Sequence, residues 1–158
     1  MNILLFSDSH RNTGNIIRAI KKTRDADVIM HLGDVVKDIL QIKEMFRSYR
    51  YEIVRGNNDW SREYPTEKLL DVEGQRIFIT HGHHYGVKYC YDRIVEKGKA
   101  VNANAVFFGH THQAEEFYRD GILFLNPGSA GMAVYGQKPS YCLVRVSGDG
   151  IIPYINHL

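Results

Sequence analysis

The 158-residue sequence contains little cysteine, little net charge and no long apolar run. Two cysteines are too few for a disulfide scaffold or a thiolate zinc site. Twenty Lys and Arg against 18 Asp and Glu give a net charge of +2, which argues against a protein that coats a polyanion. No stretch approaches the roughly 18 apolar residues that span a membrane. The apolar start at residues 1–6 is too short for a signal peptide, so we expect a cytoplasmic protein with no membrane partner.

The chain has the composition and length of one globular domain, which we expect to cover residues 1–158. Hydrophobic residues make up 44% of it, which excludes a disordered protein. Apolar spacing in the first half predicts alternating elements, with strands at 2–7, 27–32 and 51–55 and helices at 14–24 and 35–47. The second half is richer in predicted strands, at 67–72, 75–79, 104–108, 115–119, 122–125, 141–147 and 151–155, with a helix over 87–95. This order predicts an α/β (α+β) fold of two packed sheets with helices outside.

Polar groups follow the predicted strands at their carboxyl ends, where ligands bind in open α/β sheets. In chain order these groups are Asp8-Ser9-His10, Asp34, Asn57-Asn58-Asp59, His81-Gly82-His83, His110-Thr111-His112 and Asn126-Pro127-Gly128-Ser129. We therefore expect Asp, Asn and His side chains from several strands to meet at one site.

Taken alone, each of these residues has a simpler interpretation. Asp8 and Asp34 could cap helices, and Asn57 and Asn58 could form a turn. An isolated histidine is usually an interior residue, and His31, which lies inside a predicted strand, keeps that interpretation. Capping does not call for histidine, however, and several buried imidazoles without a cation would leave donors and acceptors unpaired. The whole set therefore favours a metal centre.

The candidate ligands are oxygen and imidazole groups without cysteine, a set that suits Mn²⁺, Ni²⁺, Fe or Zn²⁺. Seven residues qualify: Asp8, His10, Asp34, Asn57, His81, His110 and His112. They are too many for one ion with open positions and suit two ions that share a carboxylate. Two such ions would make the site strongly cationic, which predicts a phosphate-ester substrate. We expect Mn²⁺ to be the most active metal.

Five motifs, taken in order along the chain, resemble those of the calcineurin-like metallophosphoesterase superfamily. The likeness is greatest to its small bacterial and archaeal stand-alone phosphodiesterases. The motifs are Asp8-x-His10, Gly33-Asp34, Gly56-Asn57-x-Asp59, Thr80-His81-Gly82-His83 and Gly109-His110-Thr111-His112. The resemblance implies a four-layer α/β/β/α fold, two facing mixed β-sheets flanked by helices, and attack on phosphorus by a metal-bound hydroxide. It also assigns the ligands: the first ion to Asp8, His10 and His112, the second to Asn57, His81 and His110, and Asp34 to both.

One position departs from the phosphomonoesterase branches of that superfamily, where a histidine after the motif asparagine is taken to protonate the leaving group. Here it is Asn58, which cannot be a general acid at neutral pH. We therefore predict a phosphodiesterase in which Asp59 could orient its neighbours and His83 or His84 could replace the missing acid. A phosphomonoesterase or broad phosphatase that recruits His83 is one alternative. A non-catalytic binding scaffold with a degenerate site is another, although all seven ligands are present.

Substrate contacts are expected from residues beside the ligands. Arg11 could reach a phosphate oxygen, although a surface arginine is the simpler interpretation. Asn58 could also contact the substrate, and Trp60 with Tyr64 could form an aromatic wall, or Trp60 could belong to the core. We expect a small phosphate ester as substrate. A nucleic acid stays open as a subcase that no basic run favours, and a homo-oligomer is also left open.

Overall fold

The computed structural model describes residues 1–132, 134 and 136–158, and within them it places two five-stranded sheets and three α-helices. The first sheet contains β1 (Asn2–Phe6), β2 (Val28–His31), β3 (Arg50–Ile53), β9 (Ser140–Ser147) and β10 (Gly150–His157), in the order β10-β9-β1-β2-β3. The second contains β4 (Glu67–Val72), β5 (Gln75–Thr80), β6 (Ala105–Phe107), β7 (Ala114–Arg119) and β8 (Ile122–Pro127), in the order β4-β5-β6-β8-β7. The helices are α1 (Thr13–Lys22), α2 (Val36–Met45) and α3 (Asp92–Ala100).

Three apolar layers hold the sheets and helices together. Ile3 and Leu5 of β1 pack between the two sheets, against apolar residues of β5, β6 and β8. Leu4 and Phe6 point to the opposite face and pack against α1 and α2, while Ile94 of α3 covers the outer face of the second sheet. Because strand side chains alternate, central strands with two buried faces have continuous apolar runs. The predicted four-layer arrangement is confirmed.

The central strands position the loops that carry the polar groups. In the first sheet β1, β2 and β3 are parallel, and in the second β5, β6 and β8 are parallel. Parallel neighbours end at the same edge of a sheet, so the loops after these strands lie side by side.

The predicted bounds hold within two residues for all elements except the helix over 87–95. A short 3-10 helix occupies His83–Tyr85, residues 86–89 form turns, and α3 begins only at Asp92. Gly82 and Gly86 have positive φ angles of 98° and 66°, conformations that glycine adopts readily and a helix excludes. Of the described helices, the longest has ten residues, and none could span a lipid bilayer.

The outer edge of the first sheet is interrupted by a proline. Met1 and Val146 exchange two backbone hydrogen bonds, each 2.8 Å long. The backbone N–H and C=O groups of even-numbered residues in β9 therefore point towards β1, and those of odd-numbered residues point towards β10. In the β9–β10 register, Val144 lies opposite Pro153. Pro153 therefore turns its nitrogen, which carries no hydrogen, towards the free edge, where it disfavours pairing with another strand.

Candidate metal centre

Asp8, His10 and His112 form the first group of potential ligands, with their ligand atoms within 4.8 Å of one another. Asp8 and His10 follow β1, and His112 follows β6 in the other sheet. The Nε2 atoms of the two histidines are 3.2 Å apart. Asp8 Oδ1 lies 3.1 Å from His112 Nε2 and 3.8 Å from His10 Nε2. This group corresponds to the three residues predicted for the first ion.

Asp34, His81 and His110 form the second group, also within 4.8 Å of one another. His81 Nε2 lies 3.2 Å from His110 Nδ1 and 3.4 Å from Asp34 Oδ1. The Nδ1 atom of His81 is 2.8 Å from the Leu32 carbonyl oxygen, so Nδ1 carries the proton that this bond needs. The lone pair of the neutral ring is therefore on Nε2, towards the site, as a metal ligand requires.

The two groups are adjacent and meet at their carboxylates. Asp34 Oδ2 lies 4.0 Å from His10 Nε2, and Asp8 Oδ1 lies 3.9 Å from His81 Nε2. Each carboxylate therefore reaches an imidazole of the other group. Either carboxylate is therefore close to both groups, and the role of Asp34 as the shared ligand stays a prediction.

The surroundings of Asp8 fit a cation. Its Oδ2 accepts hydrogen bonds from Ser7 Oγ at 2.5 Å and His110 N at 3.0 Å. Its Oδ1 is buried and, among the described residues, has no partner with hydrogen-bond geometry, although His112 is near. A buried carboxylate oxygen without a partner is costly unless a cation faces it. A Cβ at Gly109 would collide with Ser7 Oγ, so this packing also requires glycine there.

The pKa values of Asp34, His81 and His110 are shifted by burial and by their neighbours. Burial alone would raise the pKa of Asp34, but hydrogen bonds from His81 and Asn58 and the His81 charge hold it well below its usual value. Burial alone would lower the pKa of His81, but Asp34 and Asp8 raise it. Burial and His81 lower the pKa of His110 to about 4. Histidine ligands bind metals only when neutral, so any proton on His81 Nε2 must leave before that atom can bind an ion.

Backbone strain is concentrated in the ligand loops. Five of the six residues in the two groups have positive φ: Asp8, His10, Asp34, His110 and His112, between 42° and 70°. Val35, beside Asp34, also has a φ of 72°, an outlier for a β-branched residue. Such conformations persist only where the surrounding structure enforces them, and they are typical of functional loops.

Asp59 holds two of these loops together. Its Oδ2 accepts hydrogen bonds from Asp34 N at 3.0 Å and Gly56 N at 2.9 Å, and its Oδ1 accepts one from Val36 N at 2.7 Å. All three donors are backbone amides, so Asp59 acts on Asp34 through the loop that carries it. The orienting role considered for Asp59 would act through these backbone contacts and stays a prediction.

Asp38 has a similar role and is missed by the sequence analysis. It accepts hydrogen bonds from Arg11 N and Ser9 Oγ, both at 2.7 Å, and holds the loop between β1 and α1. Ser9 Oγ also lies 3.3 Å from Nε2 of His31, whose Nδ1 accepts a hydrogen bond from Gly33 N. Burial lowers the pKa of His31 to about 4, and its predicted core position is confirmed. The sequence signal that could have identified Asp38 is its position, since it is an acidic residue between the apolar residues Val36 and Ile39 of α2.

The segment Asn126–Ser129 fastens two further ligand loops. Asn126 Nδ2 donates to Gly109 O at 3.1 Å and to Thr111 Oγ1 at 2.9 Å. Ser129 Oγ donates to Asp8 O at 2.7 Å. The segment therefore holds the loops that carry Asp8, His110 and His112.

The structure brings Asn58, rather than Asn57, to Asp34. Asn58 N donates to Asp34 Oδ1 at 3.0 Å, and Asn58 Nδ2 donates to Asp34 Oδ2 at 2.6 Å. Asn57 is exposed, and its side chain makes no hydrogen bond within the described part of the chain. Its role as a ligand of the second ion stays a prediction.

His83 lies beside the second group without joining it. Its ring centroid is 5.3 Å from that of His81 and 6.1 Å from that of His110. The ring of the exposed His84 lies 4.0 Å from it, tilted by 52°. Partial burial and the neighbouring histidines lower the pKa of His83 to about 4. In the metal-free protein His83 is therefore neutral at pH 7.

The predicted substrate contacts lie at the rim of the site. Arg11 is exposed, as the simpler interpretation has it, and it follows the ligand His10. Trp60 is 98% exposed, which excludes the alternative that it belongs to the core, and its contact with substrate stays a prediction. Both residues line one cavity, together with Asn58 and Tyr64.

The chain is similar in sequence and in fold to several known proteins. Residues 1–149 match the model of the calcineurin-like phosphoesterase superfamily domain. The chain is 29% identical over 152 residues to "Probable metallophosphoesterase YsnB" of Bacillus subtilis, covering 94% of this chain and 86% of that protein. It is 32% identical over 146 residues to "Phosphodiesterase MJ0936" of Methanocaldococcus jannaschii, covering 81% and 83%. The Zn²⁺ complex of Vps29 from Entamoeba histolytica has a TM-score of 0.84 at 21% identity, covering 100% of this chain and 93% of that one, a likeness of fold alone.

Proposed function

Because the chain belongs to the calcineurin-like phosphoesterase superfamily, we propose that this metallophosphoesterase is a phosphodiesterase that uses two divalent ions. The observation that carries the proposal is the meeting of two three-residue ligand groups at Asp8 and Asp34, each within 4.0 Å of a histidine of the other group. Two-metal hydrolases hold their ions roughly 3.5–4 Å apart, so two adjacent ligand groups are the arrangement that such a site needs.

The residues at the site divide between holding the ions and holding the loops. Asp8, His10 and His112 would bind one ion, His81, His110 and Asn57 the other, and Asp34 both. When bound, the ions act as Lewis acids on the phosphate and lower the pKa of water into the neutral range. We expect Mn²⁺ to be the most active, with Ni²⁺, Fe or Zn²⁺ as further candidates.

Asn58 supports a diester rather than a monoester as the substrate. Its amide lies against Asp34 and can donate a hydrogen bond to a phosphate oxygen, but it cannot donate a proton to a departing alkoxide. Hydrolysis should therefore be fastest for small diesters whose leaving group is stable as an anion.

Metal stoichiometry and substrate preference test the proposal together. Chelator-treated protein is incubated with Mn²⁺, and its metal content is measured by elemental analysis, with two ions per chain expected. Hydrolysis of bis-p-nitrophenyl phosphate is then compared with that of p-nitrophenyl phosphate, and the diester is expected to be preferred. The variant Asp34→Asn should lose at least about 100-fold in diester activity, since even outer partners of metal ligands contribute 10- to 100-fold. Asp71→Asn, an exposed carboxylate on β4, is the matched control.

Each other outcome points to a different function. A strong preference for the monoester would replace the proposal with a phosphatase. A chain that binds no metal after incubation with Mn²⁺ would favour a binding scaffold. One ion per chain at full activity would contradict the two-metal proposal.

A further inference from the structure

A cavity of about 460 Å³ adjoins the metal centre and takes no part in holding the ions. Its volume is within the usual range for small-molecule sites, roughly 300–1,000 Å³. Two of its lining residues reach the centre, since Asn58 is hydrogen-bonded to Asp34 and Arg11 follows a ligand histidine. Trp60 and Tyr64 line the same cavity. A substrate with its phosphate at the metal centre could therefore extend one arm into this cavity.

Among the residues that line the cavity, Trp60 gives the strongest indication of a ligand. Its side chain is 98% exposed, and it is the one tryptophan of the chain. Tryptophan has a large apolar surface and is normally well buried, so a ring left in water beside a site is an available contact for a ligand. The preceding residue, Asp59, is fixed by three backbone hydrogen bonds, so the ring stands on a well-held loop.

The charges of the cavity favour an anionic ligand. Arg11, Lys37 and Arg55 line it, against the two acidic residues Asp59 and Glu63. The Asp59 carboxylate is already engaged by backbone N–H groups, so the positive charges predominate. Aromatic rings interleaved with arginine are the surfaces on which nucleobases stack beside a phosphate.

We propose that this cavity binds the nucleoside arm of a phosphodiester substrate, with the base stacked on Trp60 and the phosphate at the metal centre. The proposal rests on the phosphodiesterase function and specifies its substrate class. A small nucleotide ester suits the cavity better than a polynucleotide, because the volume is limited and the sequence has no basic run. One base–aromatic stack corresponds to roughly a 5- to 150-fold gain in binding.

Two esters with the same leaving group test the nucleoside arm. Thymidine 5'-(p-nitrophenyl phosphate) and methyl p-nitrophenyl phosphate both release p-nitrophenolate, so their kcat/KM ratio reports on the retained arm. We expect wild-type protein to prefer the thymidine ester by at least about 10-fold, and Trp60→Ala to remove most of that preference. Tyr89→Ala changes another exposed aromatic residue, 93% exposed and outside the cavity, and should leave the ratio unchanged.

Fluorescence gives a readout that does not depend on turnover. Because Trp60 is the one tryptophan, its emission reports directly on the cavity. Thymidine 5'-monophosphate added to Zn²⁺-loaded protein should quench this emission saturably, whereas inorganic phosphate, which lacks a base, should leave it nearly unchanged. Equal responses to the two compounds would overturn the proposal.

The two proposals fail in different ways. If both esters are hydrolysed and Trp60→Ala leaves their ratio unchanged, the nucleoside site is refuted and the phosphodiesterase function stands. If neither ester is hydrolysed by metal-loaded protein, the phosphodiesterase function is refuted, and saturable quenching still decides whether the cavity binds a nucleotide.

Discussion

Replacement of Asp59 by asparagine separates a positioning role from a catalytic one. The Asp59 carboxylate accepts hydrogen bonds from the backbone amides of Asp34, Gly56 and Val36, at 2.7–3.0 Å. Asparagine has nearly the same shape but one carbonyl oxygen and one NH₂ group. If its oxygen takes the place of Oδ2, the bonds from Asp34 and Gly56 remain, and the NH₂ group is turned towards the Val36 N–H.

The expected loss of stability follows from these contacts. Hydrogen bonds to a charged group contribute about 1.5–3 kcal/mol each, and an unsatisfied buried N–H costs about 1–3 kcal/mol. Val36 is buried, so its amide cannot turn to water instead. Because these two effects describe the same lost bond, we expect Asp59→Asn to lower the free energy of unfolding by about 1.5–3 kcal/mol. Because the Asp34 loop is then less well held, Mn²⁺ affinity should fall by roughly 10- to 100-fold.

The assay is urea unfolding of metal-free protein followed by far-UV circular dichroism, because the exposed Trp60 would report poorly on core unfolding. Mn²⁺ affinity is measured separately by isothermal titration calorimetry. The control Asp71→Asn removes an exposed carboxylate and should change stability by no more than about 0.5 kcal/mol.

One result would refute this reasoning. If Asp59→Asn unfolds at the same urea concentration as wild type and binds Mn²⁺ equally well, yet has lost diester hydrolysis, Asp59 acts in the chemistry. Equal losses in Asp59→Asn and Asp71→Asn would show instead that the negative charge matters and the three hydrogen bonds do not.

Three further predictions concern acid stability, the site and the sheet edge. Folded His31 stays neutral down to about pH 4, while an unfolded histidine takes up a proton near 6.5, so stability is lost as the pH falls through this window. Between pH 7 and 5, the free energy of unfolding of His31→Gln should fall by about 2 kcal/mol less than that of wild type, as measured by urea titrations. The same dependence of stability on pH in both proteins would contradict this prediction. Gly109→Ala places a Cβ against Ser7 and 2.9 Å from Asp8 Oδ2, so Mn²⁺ affinity should fall by more than about 10-fold in calorimetry, whereas wild-type affinity would disprove the clash. Pro153→Val restores an edge N–H and should increase self-association in sedimentation velocity; an unchanged profile would argue against the assigned strand orientation.

The ligand groups were predictable because their signal is local. Each polar group directly follows an apolar strand, and parallel strands bring such positions to one edge whatever the details of packing. Asp8 and His110 are separated by 102 residues, yet each was identified from its own flanking residues. The one wrong helix bound has a local cause as well, since Gly82 and Gly86 adopt positive φ in a segment whose apolar spacing fits a helix.

The supporting contacts were not predictable in the same way. Asp38 is one of several charges on α2, and only the packing of that helix places it under Ser9 and the Arg11 amide. The choice between Asn57 and Asn58 as the partner of Asp34 depends on the turn of one short loop. Such contacts depend on ångström-scale geometry between distant segments, which residue type and spacing do not specify.

The sequence by itself determined the layered fold, the family and the six residues that cluster as candidate ligands, because these depend on apolar periodicity and on residue types at strand ends. The tertiary structure alone decided that Asp8 and Asp34 each lie close to both candidate ligand groups, that Asp59 accepts backbone hydrogen bonds, and that Trp60 is exposed and lines a cavity. The physical reason is that burial and hydrogen bonding depend on how distant parts of the chain pack together. The sequence around a tryptophan does not by itself show whether the folded chain buries it or leaves it exposed.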